Sequence, residues 1–330
     1  MTRVRRRTFL AAAAALAAAG GPRRARAAPA RRIGYLLLVP LTDPPSRERM
    51  AFLAGLSELG HRPGVTIEIV YRSAEGDPEF LPDACRELVA RSVEVIVASG
   101  PQAVLAAMRT TGTVPIVMQA VGDPVGIGAV RSLARPEANV TGVSFISSDL
   151  APKRVQLIRE FVPALRRIAV LFDARNPNAR AEAAAARRAA TRLGLTTEEA
   201  ALASNLELQT ALDRWRADKP DALYVVFEEG IVVDNRSLLA RFGLEHRVPT
   251  VSGWSSLTDA GALLSYAPDI AAIHRRSAHH VDRILAGAKP ADLPVEMSTT
   301  MELVINARTA RALGLGIPPP LARSADRFVE

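Results

Sequence analysis

Residues 93–118, VEVIVASGPQAVLAAMRTTGTVPIVM, hold two short apolar runs with a helical pattern between them. The runs Val93–Ala98 and Val114–Met118 are rich in β-branched residues and have the length of buried strands. Residues 101–110 predict a helix, which would return the chain for a second strand parallel to the first. Nearly continuous apolar strands that alternate with helices are typical of a parallel sheet covered on both faces.

The same alternation extends in both directions from this segment. Further strands are predicted at Ile33–Val39, Thr66–Tyr71, Ile168–Phe172, Ala222–Phe227 and Pro249–Val251. Helices are predicted over residues 46–60, 78–91, 153–162, 178–193, 205–217 and 235–246. Because the chain is longer than one core usually supports, we predict an α/β fold of two doubly wound lobes, each built on a mostly parallel sheet. One long sheet of about eight strands or more is the alternative, and such sheets are uncommon.

The C-terminal part of the chain has material for both lobes. Residues 262–266 and 301–306 predict strands, and Pro268-Asp269 opens a helix that carries three of the five histidines. We expect three connections, near residues 146–151, 266–269 and 296–301, to form a hinge that lets the lobes close on a ligand. The predicted boundaries are 28–146 plus about 268–298 for the first lobe and 147–267 plus about 299–330 for the second.

The first 27 residues predict a cleavable secretory signal peptide. A basic start with Arg6-Arg7 is followed by the apolar run Ala11–Ala19 and by the small-x-small triplet Ala25-Arg26-Ala27. The paired arginines ahead of Phe-Leu favour twin-arginine export, with the general secretory route as the alternative. The apolar run is about half the length that a membrane span requires. We therefore expect an exported, periplasmic chain without a lipid anchor that begins near Ala28.

The positive charge of the chain belongs mostly to this leader. The net charge is +8 at pH 7, and residues 1–27 hold seven arginines and no acid, so removing these seven charges leaves +1. The basicity therefore does not indicate a nucleic-acid partner. The chain has one cysteine, Cys85, and so no internal disulfide; its position in a helical pattern indicates a buried thiol.

No motif indicates catalysis, a metal site or a cofactor. The sequence has no HExxH, GxSxG or Walker pattern, and Gly126-Ile127-Gly128 lacks the third glycine of a dinucleotide fingerprint. The three histidines of the predicted helix, His274, His279 and His280, do not share one face, so a solvated or half-buried helix face is favoured over a metal site.

Six segments carry a resemblance to a known family: Gly122–Gly126, Ser132–Pro136, Asn139–Gly142, Gly261–Tyr266, Ala288–Glu296 and Glu302–Asn306. They resemble the ABC transporter substrate-binding proteins of the periplasmic-binding-protein type I fold. The resemblance implies a monomeric, non-enzymatic periplasmic receptor that captures a small organic solute, including an amino acid or related zwitterion. Such a receptor delivers the solute to a membrane permease and its cytoplasmic ATPase. An exported α/β enzyme and a periplasmic ligand sensor are the alternatives.

The ligand site is expected outside the carboxyl ends of the strands, between the two lobes. The candidate ligand-binding residues are Thr42, Asp43, Gly100, Pro101, Gln102, Gly122, Asp123, Ser144, Asn176, Asn178, Phe227, Glu229, Trp254 and, at the hinge, Tyr266. Helix N-termini after these loops suit a ligand carboxylate, Asp123 or Glu229 an ammonium group, and Trp254 an apolar or cyclic part.

These positions include no arginine or lysine, so a zwitterion is favoured over a polyanion. Each candidate also has a purely structural interpretation. Asp43 and Asp123, each next to a proline, would shape turns; Trp254 would belong to the core of a lobe; and Asn176 would cap the helix that follows it.

Overall fold

The structure, a computed structural model, describes residues 30–226 and 230–330. The signal peptide predicted for residues 1–27 lies outside these residues, as do two candidate ligand-binding residues, Phe227 and Glu229. Within the described residues, no helix has both the length and the apolar character that crossing a membrane requires.

Strands and helices alternate along most of the described chain. The strands are β1 (Arg31–Leu37), β2 (Ile67–Ser73), β3 (Val95–Ser99), β4 (Ile116–Val121), β5 (Val140–Ser144), β6 (Arg167–Asp173), β7 (Thr196–Leu202), β8 (Ala222–Val225), β9 (Thr250–Ser252), β10 (Leu264–Pro268), β11 (Glu296–Met297), β12 (Met301–Asn306) and β13 (Arg327–Val329). The α-helices are α1 (Arg47–Glu58), α2 (Leu81–Ala90), α3 (Pro101–Thr110), α4 (Ser147–Phe161), α5 (Pro177–Arg192), α6 (Asn205–Ala217), α7 (Ile231–Asp234), α8 (Arg236–Glu245), α9 (Ser255–Asp259), α10 (Ile270–Leu285), α11 (Ala307–Leu313) and α12 (Pro319–Ser324).

The strands form two separate sheets. The first has six strands in the order β11-β5-β4-β3-β1-β2, and the second has seven in the order β13-β12-β10-β9-β8-β6-β7. Neighbouring strands are parallel except for β10 and β12, which are antiparallel. The prediction of two doubly wound α/β lobes is confirmed, and the alternative of one long sheet is wrong.

The chain passes between the two sheets three times within the described residues. It leaves the first sheet between β5 and α4, returns between β10 and α10, and leaves again between β11 and β12. We call the first sheet with α1, α2, α3 and α10 lobe 1, and the second sheet with the other helices lobe 2. The residue boundaries expected for the lobes stay a prediction.

Helix α10 joins lobe 1 although it lies far along the chain. Asp269 caps it by accepting hydrogen bonds from the backbone N–H groups of Ala271 and Ala272. Its buried face packs against α1, where a Cβ atom on Gly55 would lie 2.5 Å from the carbonyl oxygen of Arg275. Glycine at this position therefore lets the two helices approach closely, and α10 brings His274 to the interlobe cavity.

Two local features differ from the sequence pattern. Met50 has the spacing of an apolar face shared with Leu53 and Leu56 but is 51% exposed, whereas Phe52, Gly55 and Leu56 are buried. The helix carries two apolar stripes, and contact with α10 selects the one that contains glycine. The strand β7 was not predicted, because it is an edge strand whose Glu198 and Glu199 break the apolar pattern.

Candidate functional site

A cavity of about 460 Å³ lies between the two lobes, beside the carboxyl ends of β1, β3 and β9. Lobe 1 contributes residues from the end of β1, the first turn of α1 and His274 of α10. Lobe 2 contributes Val233, Asp234, Arg236 and the segment that begins at Trp254. This volume falls within the range of small-molecule sites, and the location matches the strand-end rule for α/β sheets.

Two aromatic side chains, Tyr35 and Trp254, form part of the cavity wall. The Tyr35 hydroxyl donates a hydrogen bond to Gln119 Oε1 at 2.8 Å, and its ring packs against Phe52 with centroids 5.4 Å apart. Trp254 is half-buried and packs against the apolar cores of both lobes. The cavity therefore has a rigid aromatic surface on each side.

The cavity wall carries charges of both signs. Its acidic residues are Glu48, Asp234 and Asp259, and its basic residues are Arg47, Arg49 and Arg236. Burial raises the pKa of Asp234 above its ordinary value, while Arg236 and Arg175 act in the opposite direction. A ligand with one positive and one negative group would find both complements in this cavity.

The sequence did not predict the three arginines, because they lie in the first turns of helices rather than in strand-end loops. Their guanidinium groups already have protein partners: Arg47 Nη2 lies 3.4 Å from Asp269 Oδ1, and Arg236 Nη1 donates to the Val233 carbonyl at 3.1 Å. Arg49 donates to the carbonyl of Thr42. A search that followed each strand-end loop into the next helical turn would have found them.

His274 is the histidine of α10 that lines the cavity. It and His280 are each 4% exposed, so the expectation of a solvated or half-buried face is wrong for these two residues. Burial lowers the pKa of His274, and its Nδ1 lies 2.9 Å from the carbonyl oxygen of Ile270. Among the residues that the structure describes, no group of three or more His, Cys, Asp or Glu side chains is arranged to hold a metal ion.

Of the predicted ligand residues that the structure describes, only Thr42 and Trp254 line this cavity. Gly100, Pro101 and Gln102 open α3 in lobe 1, whereas Asn176 and Asn178 open α5 in lobe 2, with Asn176 as the N-cap. The two helices are in contact. Both helices begin at the carboxyl ends of strands, α3 after β3 and α5 after β6.

Unsatisfied amide groups are concentrated at these two helix starts. Gln102 and Asn178 are 7% and 1% exposed, and neither their amide nitrogens nor their amide oxygens have a hydrogen-bond partner among the described residues. The side-chain nitrogen of Asn176 has none either, although its oxygen caps α5. Buried polar groups are normally paired, so these amides are positioned for a ligand or for ordered water.

The remaining described candidates also lie outside the wall of the 460 Å³ cavity and have structural roles in turns or in backbone hydrogen bonds. Asp43 is exposed and precedes a cis proline. Asp123 Oδ1 accepts a hydrogen bond from Gly126 N at 2.8 Å, and Ser144 Oγ donates to the Val121 carbonyl at 2.7 Å. The Gly122 carbonyl accepts from Ser147 N at 3.0 Å.

A second cavity, of about 270 Å³, shares Asp234 with the first. It lies between the Glu75–Asp77 turn of lobe 1 and Arg175 with Ser204 of lobe 2. A Cβ atom on Gly76 would be 3.1 Å from Asp234 Oδ2, so the lobes touch at this edge of the cleft. Asp173 holds Arg175 through contacts of 3.1 and 2.9 Å.

A buried ion pair connects lobe 2 to the hinge. Arg154 Nη1 lies 2.6 Å from Glu182 Oε1, and both side chains are 1% exposed. The Tyr224 hydroxyl donates to the same oxygen at 2.7 Å, and Arg154 Nε donates to the carbonyl of Tyr266 at 2.7 Å. Burial alone would lower the pKa of Arg154, but the Glu182 carboxylate and Tyr224 more than offset it and raise that pKa. The guanidinium therefore stays charged.

Known proteins similar to this chain bind solutes. The family model described as "ABC transporter substrate binding protein" matches residues 40–329. A tyrosine-binding protein of Clostridioides difficile (strain R20291) is 25% identical over 278 residues, which cover 83% of this chain and 79% of that protein.

Solved structures of high similarity cover nearly the same residues. The ABC domain in complex with L-Trp from Streptococcus pneumoniae is 26% identical, with a TM-score of 0.84 over 91% of this chain and 100% of that one. A conserved domain protein from Vibrio cholerae is 28% identical, with a TM-score of 0.84 over 90% of this chain and 99% of that one. These similarities extend over both lobes and the cleft between them.

Proposed function

The chain belongs to the ABC transporter substrate-binding protein family, and we propose that it is the receptor of an ABC importer for an amino acid with an aromatic side chain. Two similar proteins are described as a tyrosine-binding protein and as a complex with L-Trp. The observation that carries the proposal is the interlobe cavity itself, in which two aromatic surfaces stand beside acidic and basic groups.

The aromatic part of the ligand would lie against Tyr35 and Trp254. Aromatic rings pack favourably against one another, and a desolvated ring contributes a large part of the binding energy. The volume of about 460 Å³ is sufficient for an amino acid of this size.

The zwitterionic end of the ligand needs partners of both kinds. The arginines of the cavity wall, Arg47, Arg49 and Arg236, are suited to the ligand carboxylate. The amide nitrogens of Gln102, Asn176 and Asn178, which have no acceptor among the described residues, lie outside that wall at the two helix starts. Asp234 is suited to the ammonium group, because its carboxylate lies on the cavity wall. Glu229 is a second partner proposed for that ammonium group, on the sequence alone.

Thermal unfolding with each L-amino acid tests this function. We expect tryptophan or tyrosine to raise the melting temperature, because a ligand at about 100 times its Kd stabilises the folded state by about 2.7 kcal/mol. The matched controls are indole and phenol, which lack the zwitterionic end of the amino acid. A binding protein also releases its ligand unchanged, so the amino acid is expected to be recovered without a product. The proposal is wrong if no amino acid stabilises the protein, and recovery of a product would favour the exported enzyme instead.

We propose further that the chain is exported to the periplasm as a monomer and delivers its ligand to a membrane permease and its ATPase. The basis is the predicted leader over residues 1–27 together with the family. N-terminal sequencing of the protein from the cell envelope is expected to begin near Ala28, and a sequence that begins at Met1 or Thr2 would contradict export. Loss of labelled tryptophan or tyrosine uptake on deletion of the gene tests the delivery step.

A further inference from the structure

We propose that His274 determines which aromatic amino acids bind: its Nε2 atom accepts a hydrogen bond from a ring donor of the ligand, so tryptophan or tyrosine is preferred over phenylalanine. The inference rests on the proposed function, because it concerns the same cavity. It adds the chemical feature of the ligand that the cavity recognises, an indole N–H or a phenol O–H on an otherwise apolar ring.

The hydrogen bonds of His274 fix its tautomer. Nδ1 lies 2.9 Å from the carbonyl oxygen of Ile270, one turn earlier on α10. A carbonyl oxygen only accepts, so Nδ1 carries the proton, and in the neutral ring Nε2 is then an acceptor. Burial lowers the pKa of His274, with the Ile270 carbonyl and the Glu48 charge acting in the opposite direction. The ring is therefore neutral at pH 7 and keeps the Nε2 lone pair.

The acceptor is available to a ligand. His274 lines the cavity, and no described residue forms a hydrogen bond with its Nε2 atom. Nε2 is not one of the buried unpaired atoms of the described residues, so it is open to the cavity. A ligand that supplies a donor replaces the water that can reach it there. A ligand that covers His274 without a donor leaves the acceptor unpaired and out of reach of water.

His274 is held rigidly relative to the aromatic wall. The Tyr35 hydroxyl donates to Gln119 Oε1 at 2.8 Å, and Gln119 Nε2 donates to Ser277 Oγ at 2.5 Å. Ser277 Oγ in turn donates to the carbonyl oxygen of His274 at 2.6 Å. One chain of hydrogen bonds thus connects the tyrosine ring with the turn of α10 that carries the histidine. A ligand ring in the cavity that both residues line therefore meets an acceptor whose position is fixed.

Fixed, desolvated acceptors discriminate strongly. A site built to hydrogen-bond a substrate O–H or N–H rejects the analogue that lacks it far better than an apolar pocket rejects a change of size. We expect the wild-type protein to bind tryptophan or tyrosine at least about tenfold more tightly than phenylalanine.

Titration calorimetry with tryptophan, tyrosine and phenylalanine on three proteins tests the proposal: wild type, His274→Phe and His280→Phe. His274→Phe keeps a ring of similar size and removes the acceptor. We therefore expect the preference for tryptophan or tyrosine over phenylalanine to fall below about threefold, mainly because the amino acid that carries the donor binds more weakly. His280→Phe is the matched control. His280 lies on the same helix, is equally buried, and has its Nε2 atom 3.3 Å from the Pro294 carbonyl, outside the cavity wall. The preference of the His280→Phe variant for tryptophan or tyrosine over phenylalanine is expected to match that of wild type.

A second measurement uses the wild-type protein alone and so does not depend on the folding of a variant. Methylation of the indole nitrogen removes the donor, so we expect 1-methyltryptophan to bind more weakly than tryptophan. The loss of affinity should be about as large as the difference between the preferred amino acid and phenylalanine. The inference is overturned if phenylalanine binds within about threefold of both other amino acids, or if His274→Phe keeps the preference. If none of the three binds to wild type, the proposed function itself has failed, which is a separate result.

Discussion

Replacement of Arg154 by methionine is expected to lower the free energy of unfolding by about 3–5 kcal/mol. The guanidinium is the charged partner of Glu182, and both side chains are 1% exposed. The substitution leaves the Glu182 carboxylate buried with only the Tyr224 hydroxyl as a donor to the oxygen that it shares with Arg154. Removing one member of a buried ion pair costs far more than the pair itself contributes, because the remaining charge is desolvated and uncompensated. Urea unfolding measures the loss.

Two controls separate this effect from loss of packing. The double variant Arg154→Met/Glu182→Leu removes both charges and is expected to recover most of the stability. Arg187→Met breaks the exposed pair with Glu199, whose side chains are 51% and 29% exposed, and is expected to cost no more than about 1 kcal/mol. A loss for Arg154→Met as small as that for Arg187→Met would contradict the assignment of a buried, charged pair.

The same ion pair bears on the ligand site. Arg154 Nε holds the carbonyl of Tyr266 on β10, the strand that precedes the second crossing between the lobes. A Cβ atom on Gly253 would lie 3.1 Å from the guanidinium carbon of Arg154, so the charged group supports the backbone next to Trp254. Arg154 therefore links the strand before the second crossing to the backbone beside the cavity residue Trp254.

The main strands and helices could be predicted because their signals are local. Helices α3 and α6 begin and end at the predicted residues, since a loop residue suited to capping precedes each and an apolar stripe runs along each. The strands β11 and β13 could not be predicted, because they have two and three residues and form only by pairing with β5 and β12. Neither strand has a local sequence signal, because each depends on pairing with another strand of the folded protein.

The ligand site could be predicted only as far as strand ends define it. The strand-end rule names Thr42 and Trp254, which lie on the cavity wall, but says nothing of Arg47, Asp234 and His274, which helices bring to it. His274 lies on α10, which belongs to lobe 1 but follows five of the seven strands of the second sheet along the chain. Its place on the same cavity wall as Tyr35 follows from the order of chain crossings and not from any local pattern.

Trp254→Ala is expected to weaken binding of the aromatic amino acid by about 2–4 kcal/mol, or roughly 30- to 1000-fold. Trp254 belongs to lobe 2, yet it packs against the lobe 1 cluster of Ala120, Val143, Phe145, Ile270 and Ile273 as well as against its own core. Truncation therefore removes one aromatic wall of the cavity and the apolar contact that spans the cleft. Loss of the aromatic wall and of the interlobe contact would both destabilise the closed form with bound ligand.

Trp254→Phe keeps an aromatic face at this position and is the control, with binding expected within about tenfold of wild type. Titration calorimetry gives the affinity, and solution scattering gives the closure. Saturating ligand should reduce the radius of gyration of the wild-type protein, whereas Trp254→Ala should close less at the same occupancy, because the interlobe contact is missing. If Trp254→Ala binds the ligand as tightly as wild type and closes equally, the tryptophan is only part of the core of lobe 2. The ligand would then be held by the amides at the starts of α3 and α5.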